Sequence, residues 1–372
     1  MRKALLITIF DVPNYGSVLQ TFATIKILFS LGYQVQTLNY TRNNDWVKRK
    51  GGFVREPFIK KMLDRNRLTT YGRLLSQLNL FRRKHLQLTK EYNTLKELEE
   101  ERWDAYDLFI TGSDQVWNTR YIYGDKVYYL SFVPQWKKKI SIASSFAMKS
   151  LPQDFFLRTK EYLQTFSALS VREQNGKKII ENQLGIVGKH TQVILDPTLI
   201  LSRNDWERAV GRSNFSKRRP YILFYMLDYA FNPKPYIWEV TKHFKEKMEC
   251  DVYALAGYKN PLMSNGLIMK NMSDSSIEMF IDLFINADLV ITSSFHGSAF
   301  AINFGIPLVS IVPSTVDDRQ SSLLSKLGLS QCAITVGTEL GKISPFYNIE
   351  ESQEKLQKLR TESLIWINSH TK

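Results

Sequence analysis

The sequence predicts an α/β protein made of two consecutive open units, each a parallel sheet wound with helices. Three observations predict this. The chain has 372 residues, more than one ordinary core holds at about 150 residues per domain. Continuous apolar runs of strand length alternate with segments of helical period along nearly the whole chain. One polar connection, Ser202 to Pro220, interrupts that alternation before it starts again. Hydrophobic residues at 44% and aromatics at 13% exclude wholesale disorder and collagen-like composition.

The elements follow in order. Leu5 to Phe10 read as a strand buried on both faces, and Val18, Phe22, Ile25 and Phe29 recur at helical spacing up to a stop at Gly32. Val35 to Tyr40 resume an extended pattern. Between residues 42 and 90 the texture changes: Phe58, Ile59 and Met62, then Leu74, Leu75, Leu78, Leu80 and Phe81, predict two short amphipathic helices. Strands are expected at Asp107 to Thr111, Lys139 to Ala143, Ala168 to Val171 and Gln192 to Leu195, with helices at Asp154 to Gln164 and Glu173 to Gln183. Asp205 to Val210 form a helical part of the connection. The second unit repeats the scheme: strand Tyr221 to Leu227, helix Tyr236 to Lys247, strand Asp251 to Ala256, then a loop from Gly257 to Ser273. Ser275 is expected to cap a helix with Glu278 in the capping-box position. Strand Asp288 to Thr292, helix Ser298 to Phe304, strand Ile306 to Val312 and a C-terminal helix, Ser352 to Ile367, complete the chain. The expected domains are residues 1–205, carrying a basic insertion at about 42–90, then 220–350, with 351–372 as a terminal helix.

Charge narrows the partners. Lys and Arg number 50 against 36 Asp and Glu, a formal excess of +14, which favours an anionic partner. Fourteen bases against three acids between 42 and 90 carry +11 of it, so the remainder of the chain is close to balanced. The insertion reads either as a solvated helical surface or as a dock for an anionic membrane face. It lacks the interleaved aromatics of a base-stacking surface, so no nucleic acid is expected. Cys250 and Cys332 form no CxxC and imply neither a disulfide framework nor a zinc ribbon. Arg2 and Lys3 before an apolar run imitate a signal peptide, but Asp11 follows at once without a cleavage pattern, and the run reads as a strand. No apolar stretch approaches the roughly 20 residues that cross a bilayer. The expected location is cytoplasmic, peripheral at the inner membrane face if the insertion docks there.

In open parallel sheets, ligands collect beyond the carboxyl ends of the strands. Five polar clusters occupy such exits: Asn14-Tyr15-Gly16-Ser17, Gly112 to Asn118, Ser170-Val171-Arg172-Glu173, His296-Gly297, and Pro313 to Arg319. Asn14 to Ser17 open a helix and are either a plain turn or an anion site on free N–H groups. His296, at the first turn of a helix, is a structural or a functional imidazole; His85, His190, His243 and His370 are scattered and lack ligand spacing. Gly297 permits close backbone approach. Arg172 and Arg319 offer planar forks to a phosphate or carboxylate, the alternative being ordinary ion pairs. Asp114 is a turn carboxylate or an acid/base group. Phosphate-loop, dinucleotide, serine-elbow and zinc motifs are absent from the sequence, and no metal is expected.

Together these motifs resemble the polysaccharide pyruvyl transferase family. The resemblance rests on Asn14-Tyr15-Gly16-Ser17-Val18-Leu19-Gln20, Gly112-Ser113-Asp114-Gln115-Val116-Trp117-Asn118, Ser170-Val171-Arg172-Glu173 and Leu195-Asp196-Pro197-Thr198. It continues in Ser293-Ser294-Phe295-His296-Gly297-Ser298-Ala299-Phe300 with Gly305-Ile306-Pro307. The basic insertion is its least family-like part. The resemblance implies two Rossmann-like doubly wound domains facing a cleft, similar to B-type glycosyltransferases. It also implies transfer of the enolpyruvyl unit of phosphoenolpyruvate to a sugar of a bacterial polysaccharide or lipid-linked precursor, as a ketal, with phosphoenolpyruvate as co-substrate and no further cofactor.

On that reading Arg172, Arg319 and the helix start His296-Gly297-Ser298 bind phosphoenolpyruvate. His296, Asp114 and Glu173 supply acid and base. Asn14, Tyr15, Gly16, Ser17, Gln115, Trp117 and Asn118 face the glycan or lipid-linked oligosaccharide acceptor. Two alternatives share the architecture: a B-type glycosyltransferase using a nucleotide sugar, and a non-catalytic glycan-binding or membrane-surface protein.

Overall fold

The computed structural model describes residues 1–41, 69–188, 191–227, 231–255, 266–313 and 319–372. Phe58, Ile59 and Met62 of the basic insertion, most of the loop expected at Gly257 to Ser273, and residues 314–318 lie outside the described residues.

The first sheet is parallel throughout, in the order β2-β1-β3-β4, with β1 at Arg2–Ile7, β2 at Tyr33–Thr37, β3 at Leu108–Thr111 and β4 at Lys138–Ser141. β1 starts and ends three residues earlier than the apolar run suggests, because Arg2 to Leu6 pair with Tyr33 to Thr37. Beyond Ile7 the chain leaves the sheet, and Thr8 donates its hydroxyl to the Ser113 carbonyl at 2.8 Å. Helix α1, Tyr15–Ser30, is capped by the Asn14 side chain and ends before Gly32, whose φ of 85° provides the left-handed exit. Of the two helices expected in the insertion, the described part is one continuous helix, α2 (Thr70–His85), which buries Leu74, Leu78 and Phe81. Past short α3 (Leu95–Glu99), α4 (Thr119–Ile122) and α5 (Phe156–Leu163), the short pair β5 (Ser170–Val171) and β6 (Gln192–Val193) extends the sheet from β4 through single bridges. Helix α6, Gln174–Lys178, joins them and continues as a π-helical turn to Gln183.

Past α7 (Pro197–Ile200) and α8 (Arg203–Val210), the second sheet is again wholly parallel, ordered β12-β11-β10-β7-β8-β9. Its strands are β7 Tyr221–Tyr225, β8 Asp251–Ala254, β9 Lys270–Asn271, β10 Leu289–Thr292, β11 Leu308–Val312 and β12 Ala333–Thr335. Every residue of β7, β10 and β11 is buried, as strands covered on both faces require. The helices are α9 (Tyr236–Met248), α10 (Ile277–Ile285), α11 (Phe295–Phe304), α12 (Arg319–Lys326) and α13 (Ile349–Thr371). Two helix starts differ from expectation through their caps. Ser276 caps α10 through the Met279 N–H, while the Ser275 hydroxyl turns back to the Met272 carbonyl. Helix α11 begins at Phe295, not Ser298, because Ser294 takes the cap position. β9, β12 and α12 carry little periodic signal in the sequence and add to the expected elements.

Several contacts join the two sheets. Trp206 of α8 packs on Phe22 of α1 and Phe300 of α11, at ring distances of 5.9 and 5.4 Å. Asn303 donates to the carbonyls of Thr198 and Leu201 at 2.7 and 2.8 Å, and Arg360 of α13 reaches both Leu199 and Asn303. The last turn of α13 meets Arg2 of β1. Among the described residues, no helix is long and apolar enough to cross a membrane.

Candidate active site at the seam between the sheets

The loops leaving the carboxyl ends of β1, β3, β5 and β10 meet in a buried polar cluster. Arg172, just past β5, is its centre. Its side chain is fully buried, with Nη1 2.9 Å from Asp196 Oδ2, Nη2 3.4 Å from Asp114 Oδ1, and Nε 3.8 Å from Glu173 Oε2. Burial works against the guanidinium charge, but Asp196, Asp114 and Glu173 outweigh it and raise the Arg172 pKa. Phe295 lies beneath both candidate arginines, with the guanidinium carbons of Arg172 and Arg319 at 4.4 and 5.8 Å from its ring centre.

Each carboxylate is fixed differently. Asp196 precedes Pro197 and caps α7, accepting from the Thr198 N–H at 3.0 Å and the Thr198 hydroxyl at 2.7 Å on Oδ1. Its Oδ2 accepts from Ser113 at 2.7 Å as well as from Arg172. Burial alone would raise its pKa, yet the His296 imidazole, the Arg172 guanidinium and the Thr198 hydroxyl hold it well below the usual carboxylate range. Asp114 adopts a left-handed φ of 72° and accepts the Ser17 hydroxyl at 2.7 Å. Glu173 places Oε1 against the Ser145 hydroxyl and the N–H groups of Phe146 and Ala147, at 2.9, 3.0 and 3.2 Å. Burial nonetheless raises the Glu173 pKa, with Arg172 and Arg319 opposing the rise.

His296 enters from the opposite sheet. Its Nε2 is 3.7 Å from Asp196 Oδ2, and the other side of the ring abuts Gly16, where a Cβ would stand 2.1 Å from Nδ1. Three buried polar atoms of this cluster, Arg172 Nε, Glu173 Oε2 and His296 Nε2, have no hydrogen-bond partner among the described residues.

The structure therefore brings together Asp114, Arg172, Glu173, His296, Gly16 and Ser17, with Arg319 at the margin. Other candidates do other work. The Trp117 side chain is wholly enclosed, stacked 5.9 Å from Tyr129 with its indole N–H on the Tyr128 carbonyl, so it is a core residue and presents no face to a sugar. Tyr15 lies 4.5 Å from Phe280 and donates its hydroxyl to the Ser273 and Ser275 carbonyls, tying α1 to the second sheet. Asn14 and Asn118 cap α1 and α4, and Gln115 accepts from the Asn118 amide at 2.7 Å. Gly297 is required by packing, since a Cβ there would stand 2.3 Å from Thr292 Oγ1. Ser298 is buried in a hydroxyl–amide set with Ser310 and Gln320.

Asp196 and Ser113 are the residues to which sequence reasoning gave no role. An Asp-Pro pair reads as a helix cap, and Asp196 is one; its second oxygen, turned to Arg172 and His296, leaves no trace in spacing.

Residues 14–315 match the polysaccharide pyruvyl transferase family, so the chain belongs to that family of transferases. No curated protein matches the sequence. Similar solved structures show the same fold at low identity. UDP-GlcNAc 2-epimerase from Methanocaldococcus jannaschii is 14% identical with a TM-score of 0.56, covering 96% of this chain and 99% of its own. The Staphylococcus aureus MnaA–UDP structure is 10% identical with a TM-score of 0.54, covering 95% and 94%. The calicheamicin glycosyltransferase CalG4 is 10% identical with a TM-score of 0.51, covering 100% and 98%. The architecture is that of the B-type glycosyltransferases and related epimerases.

Proposed function

We propose that the protein transfers the pyruvyl unit of phosphoenolpyruvate to a sugar of a bacterial polysaccharide or its lipid-linked precursor, releasing inorganic phosphate and leaving a pyruvate ketal. The observation that carries this reading is the set of unpartnered atoms at the seam. Leaving a buried polar group unsatisfied costs about 1–3 kcal/mol, and here Arg172 Nε, Glu173 Oε2 and His296 Nε2 lie in one cluster with Arg319 at its margin. Phosphoenolpyruvate carries a phosphate and a carboxylate, which offer acceptors to Arg172 Nε, to His296 Nε2 and to Arg319.

The chemistry needs one proton delivered and others removed. A proton added to the methylene carbon leaves positive charge at C2, and a sugar hydroxyl oxygen bonds there as it loses its own proton. The C2–O bond to phosphate then breaks, phosphate departs with the electron pair, and a second hydroxyl closes the ketal with loss of its proton. Glu173, whose pKa burial raises, suits the delivery. Asp114 suits removal, and His296 can donate or accept a proton. The Arg172 and Asp196 side chains have no exposed surface, so the reading requires the two sheet edges to part for substrate to reach them. The basic stretch at 42–90 would hold a lipid-linked or acidic acceptor against an anionic, inner membrane face.

The test is incubation of the purified protein with phosphoenolpyruvate and a glycan panel, following phosphate release and acceptor mass. His296→Ala and Arg319→Ala are expected to lower turnover by about 10²-fold or more; undiminished activity in both would remove the site assignment. A melting-temperature rise with nucleotide sugars but none with phosphoenolpyruvate would replace the donor.

A further inference from the structure

His296 is carried by α11 of the second sheet, yet both of its ring nitrogens face residues of the first unit. Nε2 looks at Asp196 and Nδ1 at Gly16. The Asp196 carboxylate cannot turn away, because Oδ1 is held by Thr198 and Oδ2 by Ser113 and Arg172. An ionised carboxylate only accepts hydrogen bonds, so the nitrogen opposite it is favoured as a donor. On the other side, Nδ1 meets the first turn of α1, where backbone N–H groups make the local potential positive and favour the bare lone pair at that nitrogen. The two neighbours select the same form of the ring from opposite sides.

We infer that Asp196 is a positioning residue that holds His296 in the tautomer protonated at Nε2 and aligns it with the Arg172 fork, with Gly16 leaving the room that this alignment needs. One oxygen, Asp196 Oδ2, faces both Arg172 and His296, so cation and imidazole are set by a single carboxylate. Because Asp196 and His296 belong to different sheets, the tautomer is set when the sheet edges come together. The 3.7 Å separation is longer than a hydrogen bond, as such pairs often are before substrate binds. This inference deepens the pyruvyl-transfer reading and rests on it for its catalytic consequence, while the tautomer itself does not depend on the donor.

Nitrogen NMR of the histidine side chains in the full-length protein tests it, with the His296 signal assigned by its loss in His296→Gln. The wild type is expected to show Nε2 protonated and Nδ1 bare. Asp196→Asn, similar in size, is expected to shift His296 toward a mixture of tautomers while the other four histidine signals stay in place. If Asp196→Asn does not fold, Ser113→Ala, which frees the same oxygen without removing the charge, is expected to broaden or shift the His296 signal alone. In the phosphate-release assay Asp196→Asn is expected to lower kcat about 10²-fold with little change in KM for phosphoenolpyruvate. A His296 protonated at Nδ1 in the wild type, or an unchanged tautomer in Asp196→Asn, would overturn the inference. An Nε2-protonated His296 in a protein that never consumes phosphoenolpyruvate would support the positioning and refute the donor instead.

Discussion

The two sheet edges that meet at the seam are built from different materials. The first edge is charged: Arg172 faces three carboxylates, and the loops presenting them hold Asp114, Ala143 and Ala147 at left-handed φ angles of 72°, 51° and 50°. Such conformations cost non-glycine residues about 1–3 kcal/mol each and persist where the surroundings enforce them. Here Ala143 offers its carbonyl to Ser113, and Ala147 its N–H to Glu173. Among the described residues, the second edge lines the seam mainly with uncharged groups, with Arg319 at its margin. Ser293 donates to the Leu227 carbonyl, Thr292 accepts from the Ser294 N–H, and Ser298, Ser310 and Gln320 satisfy one another. It presents the His296 imidazole, the Phe295 ring and, at the margin, the Arg319 guanidinium. The difference teaches a division of labour: one edge stores charge and strain, and the other is a close-packed frame that aims a single proton-carrying group at it.

Removing the cation from the charged edge should have the largest effect. Arg172→Met leaves Asp196, Asp114 and Glu173 buried around an apolar side chain, and breaking a buried ion pair this way typically costs about 3–5 kcal/mol. Urea unfolding should show that loss; a cost below about 1 kcal/mol would mean that the three carboxylates are not charged together.

Glycine substitutions on the two edges should separate packing from positioning. In Gly297→Ala the new methyl meets Thr292 Oγ1, which is committed to the Tyr225 carbonyl at 2.6 Å and cannot swing aside. The expected loss is about 1–3 kcal/mol of stability. In Gly16→Ala the methyl meets the His296 ring across the seam, and a small parting of the edges relieves it. Stability should fall by less than in Gly297→Ala, while turnover falls by more. The reverse order would show that the seam, not the neutral frame, is the stiffer region.

The parallel sheets were legible because continuous apolar strands alternate with helices, and β7, β10 and β11 are buried along their whole length. The cluster was half legible. Asp114, Arg172, Glu173 and His296 stand at strand exits, where topology alone directs attention. Trp117 stands at a strand exit too, but its loop folds inward over the sheet, and position in sequence does not say which way a side chain turns. Asp196 shows the opposite case: its local role as a cap is readable, whereas its partners lie 24 and 100 positions away in the chain and meet it only through the fold. Close approach is likewise expected at Gly297, whereas Gly16 reads as a turn, an anion site or an acceptor-facing residue, and its contact with the His296 ring comes from the other unit.

The smallest expected effect concerns the two carboxylates that burial and charge push in opposite directions. Glu173 is raised above its ordinary value of 4.5, so its contribution to stability is full below that pH and is lost as pH rises through the folded value. Asp196 is depressed below its ordinary 3.8, so its contribution is present above that pH and is lost as pH falls through the folded value. In Glu173→Gln the amide oxygen can still accept from Ser145, Phe146 and Ala147, and only the ionisation is removed. The melting temperature of Glu173→Gln, relative to wild type, should therefore climb as pH is raised from about 4.5 toward neutrality. A difference that stays level across that range would place Glu173 in its charged form at all of these pH values, and proton delivery to the methylene carbon would pass to His296.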